Sequence, residues 1–269
     1  MKSKIAITLD SSLLRRIDQL SEKQNRSAYI EKILKQSIDA KKLNTAVILA
    51  GGAGVRLRPF TYEIPKPMVP VKGKPVIRWQ VEMLKKHGID NIIISLGYQK
   101  NTDQIIKEFG KDVNYVFERS PLGTGGALSM IKDHVDGHFL VMNGDTLHAP
   151  VPNLTGMYDF HLEKGTMATL LVMMKEDVRR YGSVSLEEDG KIVKFAEKVK
   201  EKKPGLISSG IYILSPEIFK FIKRKCSIEN EIFPKLMSKD MLTGYFFNGK
   251  TYDVGTLKGY EHAIKEWSA

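Results

Sequence analysis

The chain has 269 residues, 42% of them hydrophobic and 27% charged, with a net charge of +11, values that allow a real core and exclude a low-complexity polymer. No apolar run approaches a membrane span and Asp10 interrupts the N-terminus before any signal-like stretch, so a cytoplasmic protein is expected. A single cysteine, Cys226, excludes an internal disulfide and reads as a packing residue, and the six histidines lack the His-Glu-x-x-His spacing, so any metal is expected on carboxylates, pointing to Mg²⁺.

Charge is unevenly shared. Residues 1–43 hold ten Lys/Arg against five Asp/Glu, a net +5, whereas the remaining 226 residues supply only +6. Within this front piece Ile5, Ile7 and Leu9 alternate with Lys4, Ala6 and Thr8, the period of a strand with one buried face. Asp10 and Ser11 are placed to cap a helix with apolar Leu13, Leu14, Ile17 and Leu20. Ser27 is placed to cap a second helix with Ile30, Ile33, Leu34 and Ile38. About 40 residues without metal or disulfide do not bury such faces alone, so a homodimer or higher even oligomer is expected. Strand, helix, helix with "NRS" opening the second helix resembles the ribbon-helix-helix DNA-binding family over roughly residues 2 to 41. The resemblance implies that Lys4, Ala6 and Thr8 face the bases of double-stranded DNA and that Arg26, beside Asn25 and Ser27, meets phosphate. Ala6 departs from the longer polar residue usual at mid-ribbon.

From residue 44 strands and helices alternate. Strands read at 45–50, 91–96, 113–117 and 138–142, and helices near 75–87, 101–109 and 124–132, with Pro75 opening the first helix and Gly88 closing it. "SVSLEEDGKIVKF" reads as a hairpin turning at Asp189–Gly190. "KTYDVGT" gives a last strand, followed by a helix to 267. The order predicts an α/β fold, a mostly parallel mixed sheet with helices on both faces, spanning 44–269 behind a separate domain of 1–43.

Ligands of such sheets bind beyond the carboxyl ends of the strands. Four pieces end there. "LAGGAGVRLRP" gives Gly51, Gly52 and Gly54 with the cation Arg56, and Lys66 follows; small residues let backbone N–H groups approach an anion. "ERSPLGTGGA" is a second glycine turn opening a helix. "FLVMNGD" ends on Asp145, and "YDVGT" carries Asp253. Two carboxylates facing a cationic glycine loop make a site for a metal-bound nucleotide phosphate.

The order L-A-G-G-x-G-x-R-L-R-P, P-K-P-M, L-G-T-G-G-A, N-G-D, F-x-E-K and D-V-G-T resembles the sugar-1-phosphate nucleotidyltransferases over essentially all of 44–269. That resemblance implies a Rossmann-like nucleotide-diphospho-sugar transferase fold and the reaction of a nucleoside triphosphate with a sugar 1-phosphate to give an NDP-sugar and pyrophosphate. It implies Arg56 and Lys66 on the phosphates as catalytic cations, with Asp145 and Asp253 on Mg²⁺. Gly51, Gly52, Gly54 and Gly123 fall on the nucleotide side, and Gly182, Glu197, Lys198 and Ser208 on the sugar side. "PLGTGGA" looks most like guanylyltransferases of manno-configured sugars, and the carboxylate of Glu118 suits both N–H groups of a guanine edge, so GTP is expected. Val55 stands where that family usually has Thr, and Ser208 where mannose- and heptose-type relatives have Asn. No hexapeptide repeat follows, so the β-helix extension of some relatives is not expected. A competing expectation is a transcription regulator whose enzyme-like domain only senses a nucleotide or sugar phosphate; the presence of Arg56, Lys66, Asp145 and Asp253 together favours retained chemistry.

Overall fold

Helix α1 (Ser11–Leu20) begins where the Asp10 carboxylate accepts the N–H groups of Ser12 and Leu13 at 2.7 and 3.4 Å, a short-range cap that the sequence spells out. The computed structural model describes residues 6–21, 25–40, 42–98, 100–197 and 199–268, and the chain divides into two units, 1–42 and 43–269. Leu43 belongs to the core of the larger unit at 7% exposure, so that unit starts one residue before the expected 44.

In the first unit α2 (Arg26–Ala40) starts earlier than expected. Asn25, not Ser27, is its cap, because the Asn25 side chain accepts the Ser27 N–H at 2.9 Å. Arg26 donates to both oxygens of Asp18 at 2.6 and 2.8 Å, tying α2 to α1. The expected strand is not formed by residues 6–10, which find no second strand to pair with among the described residues. Lys4 and Ile5, and the Ile38 side chain, lie outside the described residues. Ile7, Leu13, Leu20, Ile33 and Leu34 all stay exposed, so both helices keep an open apolar stripe.

The second unit runs β1 (Thr45–Ala50), β2 (Pro70–Val71), β3 (Lys74–Pro75), α3 (Val76–Lys86), β4 (Asn91–Leu96), α4 (Asp103–Phe109), β5 (Asn114–Phe117) and α5 (Gly123–Ser129). It continues through β6 (Phe139–Asn143), β7 (Thr146–Ala149), α6 (Leu154–Lys164), β8 (Ala168–Lys175), β9 (Gly182–Leu186), β10 (Ile192–Glu197) and β11 (Gly205–Leu214). It closes with α7 (Phe233–Met237), β12 (Leu242–Phe246), β13 (Lys250–Asp253) and α8 (Leu257–Glu266). The main sheet has the order β10-β9-β11-β6-β1-β4-β5, with β8 branching from β11 and β12 pairing with β8. Its first half is parallel, β1 pairing with β4 and β6. Around β11 the pairing is antiparallel, since β11 runs against β6, β8 and β9, while β12 joins β8 in parallel.

Alternation along β1 divides the core. Ala46, Ile48 and Ala50 pack with Ile77, Leu84, Ile105 and Met157 from α3, α4 and α6, while Val47 packs with Leu128, Phe233 and Leu236 from α5 and α7. The β7–β13 pair lies off this sheet and is covered by α8, with Tyr252, Val254 and Trp267 in a third cluster. The hairpin turn at Asp189–Gly190 forms as expected, with Gly190 at φ +87.

Two histidines are sealed in this scaffold. Burial first, and Lys175 nearby, bring the His148 imidazole down to about 4, against a raising bond to the Ser209 carbonyl at 3.3 Å. Burial and the neighbouring His138 bring His161 to about 4, while its ring contacts the Thr169 hydroxyl at 2.7 Å. Both fold as neutral rings, whereas the unfolded chain protonates them near the ordinary 6.5. Their stabilising contribution is therefore complete above that pH and is lost as pH falls toward 4. Urea unfolding at pH 7 and pH 5 is expected to show a loss of about 2–4 kcal/mol between them. A His148→Gln variant should flatten that slope, and a midpoint indifferent to pH over this window would contradict the assignment.

Candidate active site

The loop after β1 uses its glycines for three different reasons. A side chain at Gly51 would run into the Glu118 carboxylate, so this glycine makes room for that group. Gly52 faces open space, with nothing within 4 Å of an added Cβ. Gly54 is a left-handed turn at φ +62, held by the Thr61 hydroxyl donating to its carbonyl at 2.8 Å. Gly51 and Gly52 line a cavity of about 410 Å³ with Lys66, Glu118, Gly123 and Asp145. Gly54 lines neither this cavity nor the next; it shapes the loop. Val55 is likewise outside both and exposed.

Glu118 is 9% exposed, at the end of β5. Burial pushes its carboxyl up, opposed by the Leu122 N–H donating to Oε2 at 3.1 Å. The other oxygen lies against Gly51 at the cavity wall.

Lys66 and Asp145 form an ion pair. Asp145 stands in the two-residue turn between β6 and β7, and that turn is fixed by the Gln80 amide, which donates to the Asn143 and Thr146 carbonyls at 2.7 and 2.8 Å. The Val254 N–H donates to the Asp145 carbonyl at 3.0 Å, so β13 delivers Asp253 beside it. The Asp253 carboxylate accepts the Gly255 N–H at 2.6 Å, and the Lys66 ammonium lies against the same glycine. One cation and two carboxylates thus meet from β6, β13 and the loop before β2. Arg56 is exposed and lines the second cavity rather than the first.

Among the described residues no three His, Cys, Asp or Glu side chains gather as a metal cage. Two hard oxygen donors with an open mouth still fit Mg²⁺, which keeps water or phosphate oxygens for its remaining positions.

The second glycine turn differs from its sequence reading. The N–H groups of Gly125 and Gly126 donate to the Cys226 carbonyl at 3.0 and 3.2 Å, so they are not open to an anion. A Cβ on Gly123, Gly125 or Gly126 would strike Cys226 or Arg224 at 2.5–2.6 Å. These glycines admit a strap, residues 223–229, that crosses the turn. Cys226 is its buried anchor, with its thiol donating to the Lys223 carbonyl at 3.3 Å.

The second cavity, about 490 Å³, is lined by Gly182, Glu197, Ser208, Asp253 and Arg56 among others, and shares Gly123, Thr124, Asn143 and Asp145 with the first. Gly182 pairs with Glu197 across β9 and β10, and its missing side chain leaves space for Phe195 and the Glu197 carboxylate. Lys198 lies outside the described residues. Sequence reasoning missed Glu229, Ser209, Thr251 and Arg180, which also line this wall. "CSIENE" carries no motif spacing; the only signal was a polar run between apolar anchors. In the first unit Ala6 and Thr8 are exposed and Arg26 is spent on Asp18.

The family described as Nucleotidyl transferase matches residues 45–268, and a family of unknown function matches residues 1–50. The chain is 36% identical over 229 residues to Mannose-1-phosphate guanylyltransferase 1 of Arabidopsis thaliana, covering 80% of this chain and 62% of that protein. It is 34% identical over 234 residues to D-glycero-alpha-D-manno-heptose 1-phosphate guanylyltransferase of Campylobacter jejuni, covering 81% of this chain and 98% of that one. The chain thus spans 62% of the length of the mannose-1-phosphate relatives. Among solved structures, HddC from Yersinia pseudotuberculosis complexed with GMP-PN is similar at TM-score 0.70 and 32% identity, covering 83% of this chain and 99% of that one.

The contrast between glycines is testable. Gly123 has φ +76 and a backbone carbonyl where a Cβ would stand, so Gly123→Ala should cost about 2–4 kcal/mol of stability. Gly52→Ala should change stability by less than about 0.5 kcal/mol. Equal thermal unfolding of the two variants would refute the packing assignment.

Proposed function

The chain belongs to the nucleotidyl transferase family, and from that premise we propose that it joins a nucleoside triphosphate to a sugar 1-phosphate. An oxygen of the sugar phosphate forms a bond to the α-phosphorus of the triphosphate. The bond from that phosphorus to the bridging oxygen breaks, and pyrophosphate leaves with the electron pair. The observation that carries this reading is the pair of adjoining cavities with Asp145 on their shared wall, one place for each substrate. Such a transfer asks the protein for alignment and charge compensation more than for covalent chemistry.

In this reading Gly51, Gly52 and Gly123 border the nucleotide, and Lys66 and Arg56 offset the charge of the triphosphate and the departing pyrophosphate. Asp145 and Asp253 would hold Mg²⁺, which when bound screens the phosphates and orients their oxygens. Release of Lys66 from Asp145 toward phosphate frees that carboxylate. Glu118 accepts from the guanine edge, which makes GTP the nucleotide, in keeping with the guanylyltransferase names of the relatives. Gly182, Glu197 and Ser208 face a manno-configured sugar. Pyrophosphate release measured across four nucleoside triphosphates and a set of sugar 1-phosphates should be fastest with GTP. Asp145→Asn and Asp253→Asn should each lower kcat by about a hundredfold or more with the fold intact. Near-normal turnover in either variant would remove that carboxylate from the chemistry.

The first unit is read as a ribbon-helix-helix arm that pairs two chains and binds double-stranded DNA. Its open apolar stripes support pairing, and its net positive charge supports a polyanion partner. Deleting residues 1–42 should lower the oligomeric state measured by light scattering and leave kcat within about twofold, since the proposed catalytic residues all follow residue 43. Full-length protein should shift a DNA duplex with an affinity that falls steeply with salt. An unchanged mass after deletion would exclude the pairing role, and no shift at low salt would exclude the DNA role.

A further inference from the structure

The carboxylate of Glu229 belongs to the strap that crosses the second glycine turn, yet it also lines the second cavity. Its two oxygens are used unequally. Oε2 accepts the Thr124 hydroxyl at 2.6 Å and the Ser227 hydroxyl at 2.8 Å, which locks the side chain in place. Among the described residues Oε1 has only a long contact, 3.4 Å, from the Tyr212 hydroxyl. A carboxylate oxygen has lone pairs for about two donors. One oxygen is therefore saturated and fixed, and the other keeps accepting capacity at a half-buried cavity wall.

The rest of that wall has the same character. Glu197 lines it from β10, and the Tyr212 hydroxyl is raised by burial first and then by the Glu229 and Glu197 carboxylates, so it stays a protonated donor. The β11 bulge between Ser208 and Tyr212 lets Ser208 and Ser209, consecutive residues, both reach this side of the sheet. Ser209 and Thr251 are 4% and 3% exposed, and their hydroxyls have no hydrogen-bond partner among the described residues. Unpaired buried hydroxyls are costly, and at a cavity wall a ligand relieves that cost.

We propose that Glu229 reads the sugar: Oε1 accepts a sugar hydroxyl, and together with Glu197 it limits the cavity to neutral, polyhydroxylated sugar 1-phosphates, rejecting uronic acids. The proposal rests on the sugar-phosphate transfer reading given above. A neutral sugar brings hydroxyl donors to both carboxylates. A uronic acid adds another carboxylate beside Glu197 and Glu229 at this wall, where like charges repel. The cations at this cavity, Arg56 and Arg180, suit the phosphate end of the substrate.

The test uses full-length protein with GTP, and either mannose 1-phosphate or glucuronic acid 1-phosphate. Glu229→Gln keeps the shape and removes the charge. It should raise KM for mannose 1-phosphate about 10- to 100-fold, the effect of one charged hydrogen bond, and leave KM for GTP within about twofold. The preference for the neutral over the acidic sugar, as a ratio of kcat/KM, should shrink at least about tenfold. Thr124→Val cuts the bond between strap and turn, and should move KM for GTP as well. If Glu229→Gln moves both KM values together, or neither, Glu229 is a structural tie and the proposal falls. A thermal-shift titration with mannose 1-phosphate alone separates this from failure of the transfer reading. Stabilisation of the parent but not of Glu229→Gln, in a protein that releases no pyrophosphate, keeps Glu229 as a sugar ligand and discards transfer. Equal shifts in both proteins, or none in either, overturn the proposal.

Discussion

Strand β6 is hydrogen-bonded to a parallel neighbour, β1, on one side and to an antiparallel neighbour, β11, on the other, and the site depends on that change of direction. Parallel strands send their carboxyl ends to one edge, which places the glycine loop after β1, the Glu118 end of β5 and the Asp145 loop together. An antiparallel neighbour brings mid-strand residues to the same edge instead. Ser208 and Ser209 sit at the bulge in β11, where Gly210 at φ +84 gives way to the Asn143 side chain. Two cavities of different construction therefore meet at the end of one strand.

Charge is arranged around this junction with little waste. Lys66 and Asp145 are largely buried, and a buried ion pair repays its desolvation only where geometry and further bonds are good. Asp145 gains the Thr146 hydroxyl at 3.2 Å, and Asp253 gains the Gly255 N–H. Such a pair is well suited to exchange partners: a phosphate draws the ammonium and a divalent cation draws the carboxylate. Arg56 remains exposed, positioned to meet an anion before it is desolvated.

The strap over α5 shows how packing and binding share residues. Its Cys226 carbonyl takes two amide hydrogens from the glycine turn, which a helix start would otherwise offer to water or an anion. Thr124 escapes this and lines both cavities, while its hydroxyl holds Glu229 and accepts the Ile228 N–H at 3.0 Å. A single hydroxyl thus joins the two cavities through one carboxylate.

Period and punctuation were enough to place β1, β4, β6, α3 and the Asp189–Gly190 hairpin, because alternation, helix stripes and left-handed glycine turns are local properties. The motif carboxylates Asp145 and Asp253 were legible for the same reason: Asp145 lies two residues past the readable strand β6, and Asp253 ends β13. Other features were not local. Gly51 and Gly123 looked alike in sequence, yet one makes room for Glu118 and the other for the Cys226 carbonyl, partners 67 and 103 positions away. Asn25 rather than Ser27 caps α2, a choice between two good capping residues that depends on backbone placement. Glu229 was invisible because its meaning comes from Thr124, 105 positions earlier. By itself the sequence determined the parallel strands β1, β4 and β6, the helices beside them, the glycine loop and the positions of the two carboxylates. Tertiary structure alone decided which glycines face a cavity and which face protein, since that turns on distances between segments remote in the chain.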